Sequence, residues 1–176
     1  MLVLVLSCPR PPYDMLRRAQ LATWDTVTVP GVETVYYDCD DLPTQHLRLQ
    51  RALDDVRGRT WRPLFRTNSS SYVDKARLLE WAAGMPWERS YAGIDGGGFA
   101  SGSGMLLSRD ACEVLRAELG KRPPSDLIED QHVGETLAAA GIPVTPGARR
   151  YDFWERAHLR KFAAGVIAPP PAEDLA

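Results

Sequence analysis

Cysteine is scarce in this sequence. The 176 residues include three cysteines, Cys8, Cys39 and Cys112, and no two of them form a CxxC pair. An odd number of widely spaced cysteines predicts neither a disulfide framework nor a zinc site. A reducing compartment, the cytoplasm, fits this usage best.

Long apolar runs and an excess of one charge are also missing. The N-terminal run MLVLVL stops at Ser7, far short of the ~20 apolar residues that a transmembrane helix needs. No membrane partner is therefore predicted. A net charge of -2 and a pI near 5.9 give no general basic field to attract nucleic acid or anionic lipid.

The first half of the chain alternates between strand and helix patterns. The aliphatic run at 2–6 is typical of a strand buried on both faces, and Asp14 can cap the helix after it. Further strands are predicted at 33–37 and 63–66, and helices at 15–24, 46–56 and 74–83. This alternation predicts an α/β fold with a mostly parallel central sheet flanked by helices.

The second half begins with a glycine-rich stretch at 94–104, IDGGGFASGSG, which is predicted to be a loop close to a ligand. A helix is predicted at 109–120. Asp126 and Glu129 have the spacing of a capping box for a last helix that ends at Gly141. Residues 166–176 are proline-rich and acidic, so we interpret the chain as one domain at 1–165 followed by a flexible tail at 166–176.

Four short patterns occur in a fixed order along the chain: RRAQLATW at 17–24, RTNSSSYVD at 66–74, FASGSGMLLSRD at 99–110 and EDQHVG at 129–134. In this order and at this spacing they resemble the inverting beta-1,3-glycosyltransferase and Fringe superfamily. The third and fourth match its S-G-x-G-x-x-x-S and E-D-x-x-x-G motifs. The resemblance implies a GT-A type nucleotide-sugar fold of minimal length.

The last two patterns carry the candidate catalytic and sugar-binding residues. The aspartate of the fourth motif is the catalytic base in that family, so the resemblance implies this role for Asp130, with Glu129 beside it. An inverting transfer needs one base to accept the proton of the attacking hydroxyl. The alternative is that both are simply acids favoured by the dipole of a helix start. The resemblance implies a sugar pocket lined by Ser101, Gly102, Ser103 and Gly104.

The second pattern departs from the family at its metal site. It aligns with K-T-D-D-D-V-F-V-N, so Asn68, Ser69 and Ser70 stand where three aspartates hold a cation on the donor diphosphate. Neutral oxygens bind Mn²⁺ or Mg²⁺ weakly, and low metal affinity is predicted. Arg66, backbone amides or a basic C-terminal cluster would then balance the charge of the leaving group. That cluster consists of Arg149, Arg150, Arg156, His158, Arg160 and Lys161.

Simpler interpretations exist for these polar and basic residues. Residues 68–70 have the composition of a polar turn, and the basic cluster that of a solvated tail. By position, His158 is the candidate metal ligand, although a lone histidine is more often not a ligand.

Two other residues are candidates for donor contacts. Asp38, at the end of the second predicted strand, would lie at the carboxyl edge of the sheet, where ligands bind. The alternative is a solvated acid in a turn. Arg17 and Arg18 fall in the first turn of the predicted helix 15–24, where the helix dipole disfavours cations, which suggests an anionic partner.

The resemblance implies a glycosyltransferase that moves a hexose from a UDP-sugar to an acceptor hydroxyl with inversion. The acceptor would be a glycan, a protein or a modified base, and the resemblance implies a soluble enzyme of a bacterial or viral cell interior. Two alternatives stay open. One is a catalytically inactive module that binds a sugar or nucleotide, and the other is a glycosyltransferase that acts on modified DNA bases.

Overall fold

The computed structural model of the protein describes residues 1–11, 13–38, 45–123 and 127–147. These residues form six strands and five α-helices. The strands are β1 (Leu2–Ser7), β2 (Glu33–Asp38), β3 (Leu64–Asn68), β4 (Tyr91–Asp95), β5 (Ala100–Leu107) and β6 (Thr145–Pro146). The helices are α1 (Tyr13–Ala22), α2 (Gln45–Asp55), α3 (Lys75–Ala83), α4 (Arg109–Glu118) and α5 (Glu129–Ala139).

All six strands belong to one sheet with the order β2-β1-β3-β5-β4-β6. β1 pairs in parallel with β2 and β3, and β4 in parallel with β6, whereas β5 is antiparallel to both β3 and β4. β5 alone therefore runs against the other five strands. Its N-terminal half consequently lies at the same edge of the sheet as the carboxyl ends of β1, β2, β3 and β4.

The strand sequences explain why both faces of the sheet are covered. In β1, Leu2, Leu4 and Leu6 pack into a core with α2, α4 and α5, while Val3 and Val5 pack into a second core with Phe65, Leu78 and Ala82. Burying each such side chain stabilises the fold by about 1.5–3 kcal/mol. The predicted α/β class and the predicted burial of β1 on both faces are confirmed.

The predicted elements up to residue 83 are all present, with boundaries shifted by at most two residues. Asp74 caps α3, since its Oδ1 accepts the N–H groups of Ala76 and Arg77 at 3.1 Å. The largest difference in the first half is at α1, which begins at Tyr13 rather than Met15 and ends at Ala22, followed by a 3₁₀ turn at Trp24–Thr26.

The prediction of a loop at 94–104 is wrong for most of its length. Residues from Ala100 onward form β5, which is a central strand, and only Gly96 to Phe99 connect it to β4. Gly97 and Gly98 supply the turn with φ values of 90° and 95°, and their N–H groups bond to Asp95 Oδ1 at 2.9 and 3.1 Å. Glycine disfavours strands by propensity, but here the strands on both sides supply the hydrogen bonds.

The last helix starts later than predicted. α5 begins at Glu129, two residues after the start that a cap at Asp126 requires, and Gln131 Oε1 accepts the N–H of Ile128 at 3.2 Å. Asp126 lies outside the described residues. The helix ends as predicted, because Gly141 follows it with a φ of 72°, a backbone conformation that favours glycine.

No helix in the described part of the chain is long and apolar enough to cross a membrane. Residues 148–176, which include the end of the predicted domain and the predicted tail, are not among those described.

Candidate functional site

Three of the four sequence patterns meet at the carboxyl edge of the sheet. The end of β3, the start of β5 and the first turn of α5 are in direct contact there. Thr67 Oγ1 donates to the carbonyl of Ser103 at 2.7 Å, and Ser71 Oγ donates to the same carbonyl at 3.0 Å. Gly102, one residue earlier, contacts Asp130. The topology thus joins segments that are far apart in sequence.

Gly102 is the centre of this arrangement. Its N–H donates to Asp130 Oδ2 at 2.6 Å. A Cβ atom at residue 102 would lie well inside the van der Waals distance of both Arg66 Nη1 and Asp130 Oδ1. The φ of Gly102 is not in the positive region, so the position requires glycine for space and not for backbone conformation.

Arg66 lies beneath Gly102 with a side chain that is 6% exposed. Its Nη1 donates to the Gly102 carbonyl, and its Nη2 donates to the Glu129 carboxylate. Asp130 Oδ1 is 4.0 Å from Nη1. The Nε atom of Arg66 has no partner among the described residues.

Burial leaves Arg66 little exposed surface for the predicted donor contact, which stays a prediction. The guanidinium does not face an open donor site, because it is enclosed and its two Nη groups bond within the protein. A buried arginine needs a paired carboxylate to offset the loss of hydration, and Glu129 provides it.

Glu129 and Asp130 have different environments although they are adjacent. The Glu129 side chain is 7% exposed, whereas the Asp130 side chain is 18% exposed. Burial raises the pKa of Glu129, and the Arg66 guanidinium opposes this effect. Of the two carboxylates, Asp130 is the one that an external molecule can reach more easily.

Tyr91 extends the same buried network on β4. Its hydroxyl oxygen accepts the N–H of Ala100 at 2.7 Å, and burial raises the pKa of Tyr91 to about 12. The phenol is therefore neutral over the usual pH range and fixes the start of β5.

The polar triplet forms a closed turn. Asn68 Oδ1 accepts the hydroxyl proton of Ser70 at 2.8 Å and lies 2.9 Å from Ser71 Oγ, whose one proton it shares with the Ser103 carbonyl. Gln20 Nε2 donates to the carbonyls of Asn68 at 3.1 Å and Ser71 at 2.8 Å. Ser69 is buried, whereas Ser70 is exposed. The side-chain oxygen of Asn68 thus already accepts hydrogen bonds inside the turn.

Within the described ranges, no group of three His, Cys, Asp or Glu side chains lies together as a metal site requires. His158 and the other members of the basic C-terminal cluster are outside these ranges.

Arg17 and Asp38 form a separate pair at the end of β2. Arg17 Nη1 donates to both carboxylate oxygens of Asp38, at 2.7 and 2.9 Å, and its guanidinium lies 5.0 Å from the centre of the Tyr36 ring. Because α1 starts at Tyr13, neither arginine is in its first turn, which corrects the prediction. The anionic partner of Arg17 is Asp38, and β2 is three strand spacings from β5, about 14 Å.

Sequence reasoning missed Gln20, Thr67, Ser71 and Tyr91. The side chain of Gln20 is buried in an otherwise exposed helix face, but its partners are 48 and 51 residues away. No local pattern identifies such a contact.

The described charges at this edge have a negative excess. Arg17 is balanced by Asp38, Arg66 faces the two carboxylates of Glu129 and Asp130, and Arg48 also acts on Glu129. Asp95, in the turn before β5, adds a further acid. This charge balance limits which ligands bind without added cations.

A comparison with known proteins identifies no family model and no curated protein that matches the chain.

Proposed function

We propose that the protein is an inverting glycosyltransferase of the GT-A type that transfers a hexose from a UDP-sugar, with Asp130 as the general base. The observation that supports this most is the contact between Gly102 and Asp130. A small residue and a partly exposed carboxylate touch at the edge where ligands bind to α/β sheets. The resemblance of the four patterns to the Fringe superfamily supplies the choice of reaction.

In the proposed reaction the oxygen of an acceptor hydroxyl forms a bond to the anomeric carbon. The bond from that carbon to the diphosphate oxygen breaks, and the nucleoside diphosphate leaves with the electron pair. Asp130 accepts the hydroxyl proton. Its Oδ2 is held by the Gly102 N–H, so Oδ1 is the oxygen available for the proton, and a fixed base of this kind contributes typically ~10²–10⁴-fold to the rate.

Sheet topology is compatible with the GT-A proposal. Five strands of the six run in one direction, so their carboxyl ends and the start of β5 form one continuous edge. Asn68 and Gly102 lie on this edge, on neighbouring strands. The donor diphosphate would lie near residues 68–70 and the hexose near residues 101–104.

A second candidate is a module that binds an uncharged sugar without transferring it. The partly exposed Asp130 carboxylate and the nearby Asp95 favour this candidate, because a diphosphate would meet repulsion from these acids. The hydrogen bonds that Asn68 Oδ1 accepts inside the turn also favour this candidate, because they occupy an oxygen that a cation on the diphosphate would need. Such a module would bind a free hexose or glycan at least as well as a UDP-sugar.

One experiment separates the two candidates. Thermal unfolding is followed with a panel of UDP-, GDP-, CMP- and dTDP-sugars and free hexoses, with and without Mn²⁺, and hydrolysis of each sugar nucleotide is measured in parallel. Binding to the folded state raises its stability by mass action. A transferase requires stabilisation by a sugar nucleotide together with turnover, whereas a binding module gives stabilisation by the free sugar without turnover.

The matched variants are Asp130→Asn and Asp55→Asn. Asp55 is an exposed carboxylate at the end of α2, so the second variant repeats the chemical change away from the site. We expect Asp130→Asn to lose about 10²–10⁴-fold in rate while Asp55→Asn keeps the wild-type rate. Absence of both binding and turnover for every sugar nucleotide would overturn the proposal.

A further inference from the structure

The adjacent acids of α5 are joined to Gly102 through different atoms. Asp130 accepts the N–H of Gly102, and Glu129 is linked to the Gly102 carbonyl through the guanidinium of Arg66. The N–H and the carbonyl of Gly102 are therefore each held by a different contact.

Two observations argue that Glu129 does not itself exchange a proton with a substrate. Its side chain is 7% exposed, and its Oε1 is occupied by Arg66 Nη2. A general base must come within hydrogen-bond reach of the proton that it removes, and Asp130 meets this condition better because its side chain is 18% exposed.

We propose that Glu129 is a positioning residue whose buried carboxylate holds the Arg66 guanidinium against the Gly102 carbonyl. This contact orients residue 102 so that its N–H donates to Asp130. The inference rests on the proposed function for its catalytic consequence. Its structural part, the effect of Glu129 on the Gly102 amide, does not depend on any activity.

The charged groups around Glu129 and Asp130 determine what a variant at residue 129 changes. Arg66 on β3 and Arg48 on α2 act electrostatically on Glu129, and Asp130 and Asp95 act on Tyr91 of β4. The observed hydrogen bond to the Glu129 carboxylate comes from Arg66 Nη2. Removing the carboxylate therefore releases the guanidinium from the Gly102 carbonyl and lets it move toward Asp130 Oδ1.

The test compares Glu129→Gln with Asp130→Asn, and with Glu135→Gln as the matched control. Glu135 is on the same helix, is about half exposed and pairs with Arg122. We expect Glu129→Gln to lower kcat by roughly 10²-fold, as a small misplacement of reacting groups does, with KM for the sugar nucleotide little changed. Its acid limb in the pH-rate profile should persist, whereas Asp130→Asn should abolish it. Loss of that limb in Glu129→Gln would assign the base role to Glu129 and overturn the inference.

A double variant separates positioning from a merely structural role. Replacing both members of a buried ion pair by apolar residues often preserves stability that either single replacement loses. Arg66→Met with Glu129→Met should therefore regain the melting temperature lost by the single variants but stay roughly 10²-fold slow in kcat. A double variant that recovers the wild-type rate would show that the pair serves stability alone, against the inference.

The Gly102 amide provides a readout that needs no turnover. In ¹⁵N-labelled protein, we expect Glu129→Gln to speed hydrogen exchange of this amide by at least ~10-fold, as Asp130→Asn does, while Glu135→Gln leaves it unchanged. If wild-type protein turns over no sugar nucleotide but the amide responds in this way, the proposed function fails and the effect of Glu129 on the Gly102 amide stands. An amide that does not respond to Glu129→Gln overturns the inference whether or not the protein is active.

Discussion

An alanine at residue 102 is the sharpest perturbation of the candidate site. The added methyl would overlap Arg66 Nη1 and Asp130 Oδ1, so the guanidinium or the carboxylate must move. Inserting one carbon into a packed site costs about 1–3 kcal/mol. Replacing glycine in extended backbone returns about 0.5–1 kcal/mol through the unfolded chain, which leaves a net loss of roughly 1–2 kcal/mol.

The assay for Gly102→Ala is urea and thermal unfolding, in which this loss corresponds to a melting temperature lower by about 2–8 °C. Two glycines serve as controls. A Cβ at Gly104 would meet the Phe65 ring at 2.7 Å, which tests apolar overpacking in the same strand. A Cβ at Gly58 meets nothing within 4 Å, so alanine there should be neutral or stabilising.

The loss at Gly102 should also depend on Arg66. If the methyl acts by displacing the guanidinium, the effects of Gly102→Ala and Arg66→Met on the free energy of unfolding will be non-additive, as is usual for residues in contact. A Gly102→Ala protein as stable as Gly58→Ala would refute the reasoning, and so would strict additivity with Arg66→Met.

Three further predictions concern Glu129, Cys112 and Gln20. Burial raises the pKa of Glu129 above its usual 4.5, so its contribution to stability is full below that value and is lost as the pH rises through the raised pKa. Glu129→Gln should remove this decline in urea unfolding, and an unchanged slope of stability against pH would contradict the prediction. Burial also raises the pKa of the Cys112 thiol, so iodoacetamide should label the partly exposed Cys8 in native protein but reach Cys112 only in urea, as peptide mass spectrometry will test. Gln20→Met removes two buried hydrogen bonds to the 68–71 turn, which should cost about 1–3 kcal/mol and speed exchange of the Ser71 amide; unchanged exchange would mean that the turn holds without Gln20.

The sequence predicts most of the first half of the fold and the end of α5 because these signals are local. A continuous aliphatic run identifies β1, the helical pattern at 74–83 identifies α3, and Gly141 ends α5. Each depends only on residues that are neighbours along the chain. The structure agrees at each of these positions.

What could not be predicted depends on contacts between distant segments. β5 contains glycines that disfavour a strand, and its place in the sheet comes from pairing with β3 and β4. The sequence around Arg66 does not indicate that its side chain is buried, because its carboxylate partner Glu129 is 63 residues away. The resemblance predicted that residues 101–104 lie near Glu129 and Asp130. It did not predict that the buried Arg66 side chain connects them.

The central claim is that residues 68–70, 101–104 and Asp130 form one site for an activated sugar. The most direct measurement is a titration of ¹⁵N-labelled protein with UDP-sugars, followed through backbone amide shifts. The account predicts saturable shifts at Asn68, Gly102 and Ser103, with none at Gly31 and Gly58, which lie in turns before β2 and β3 at the opposite edge of the sheet. Shifts confined to that opposite edge, or none at saturating sugar nucleotide, would contradict it.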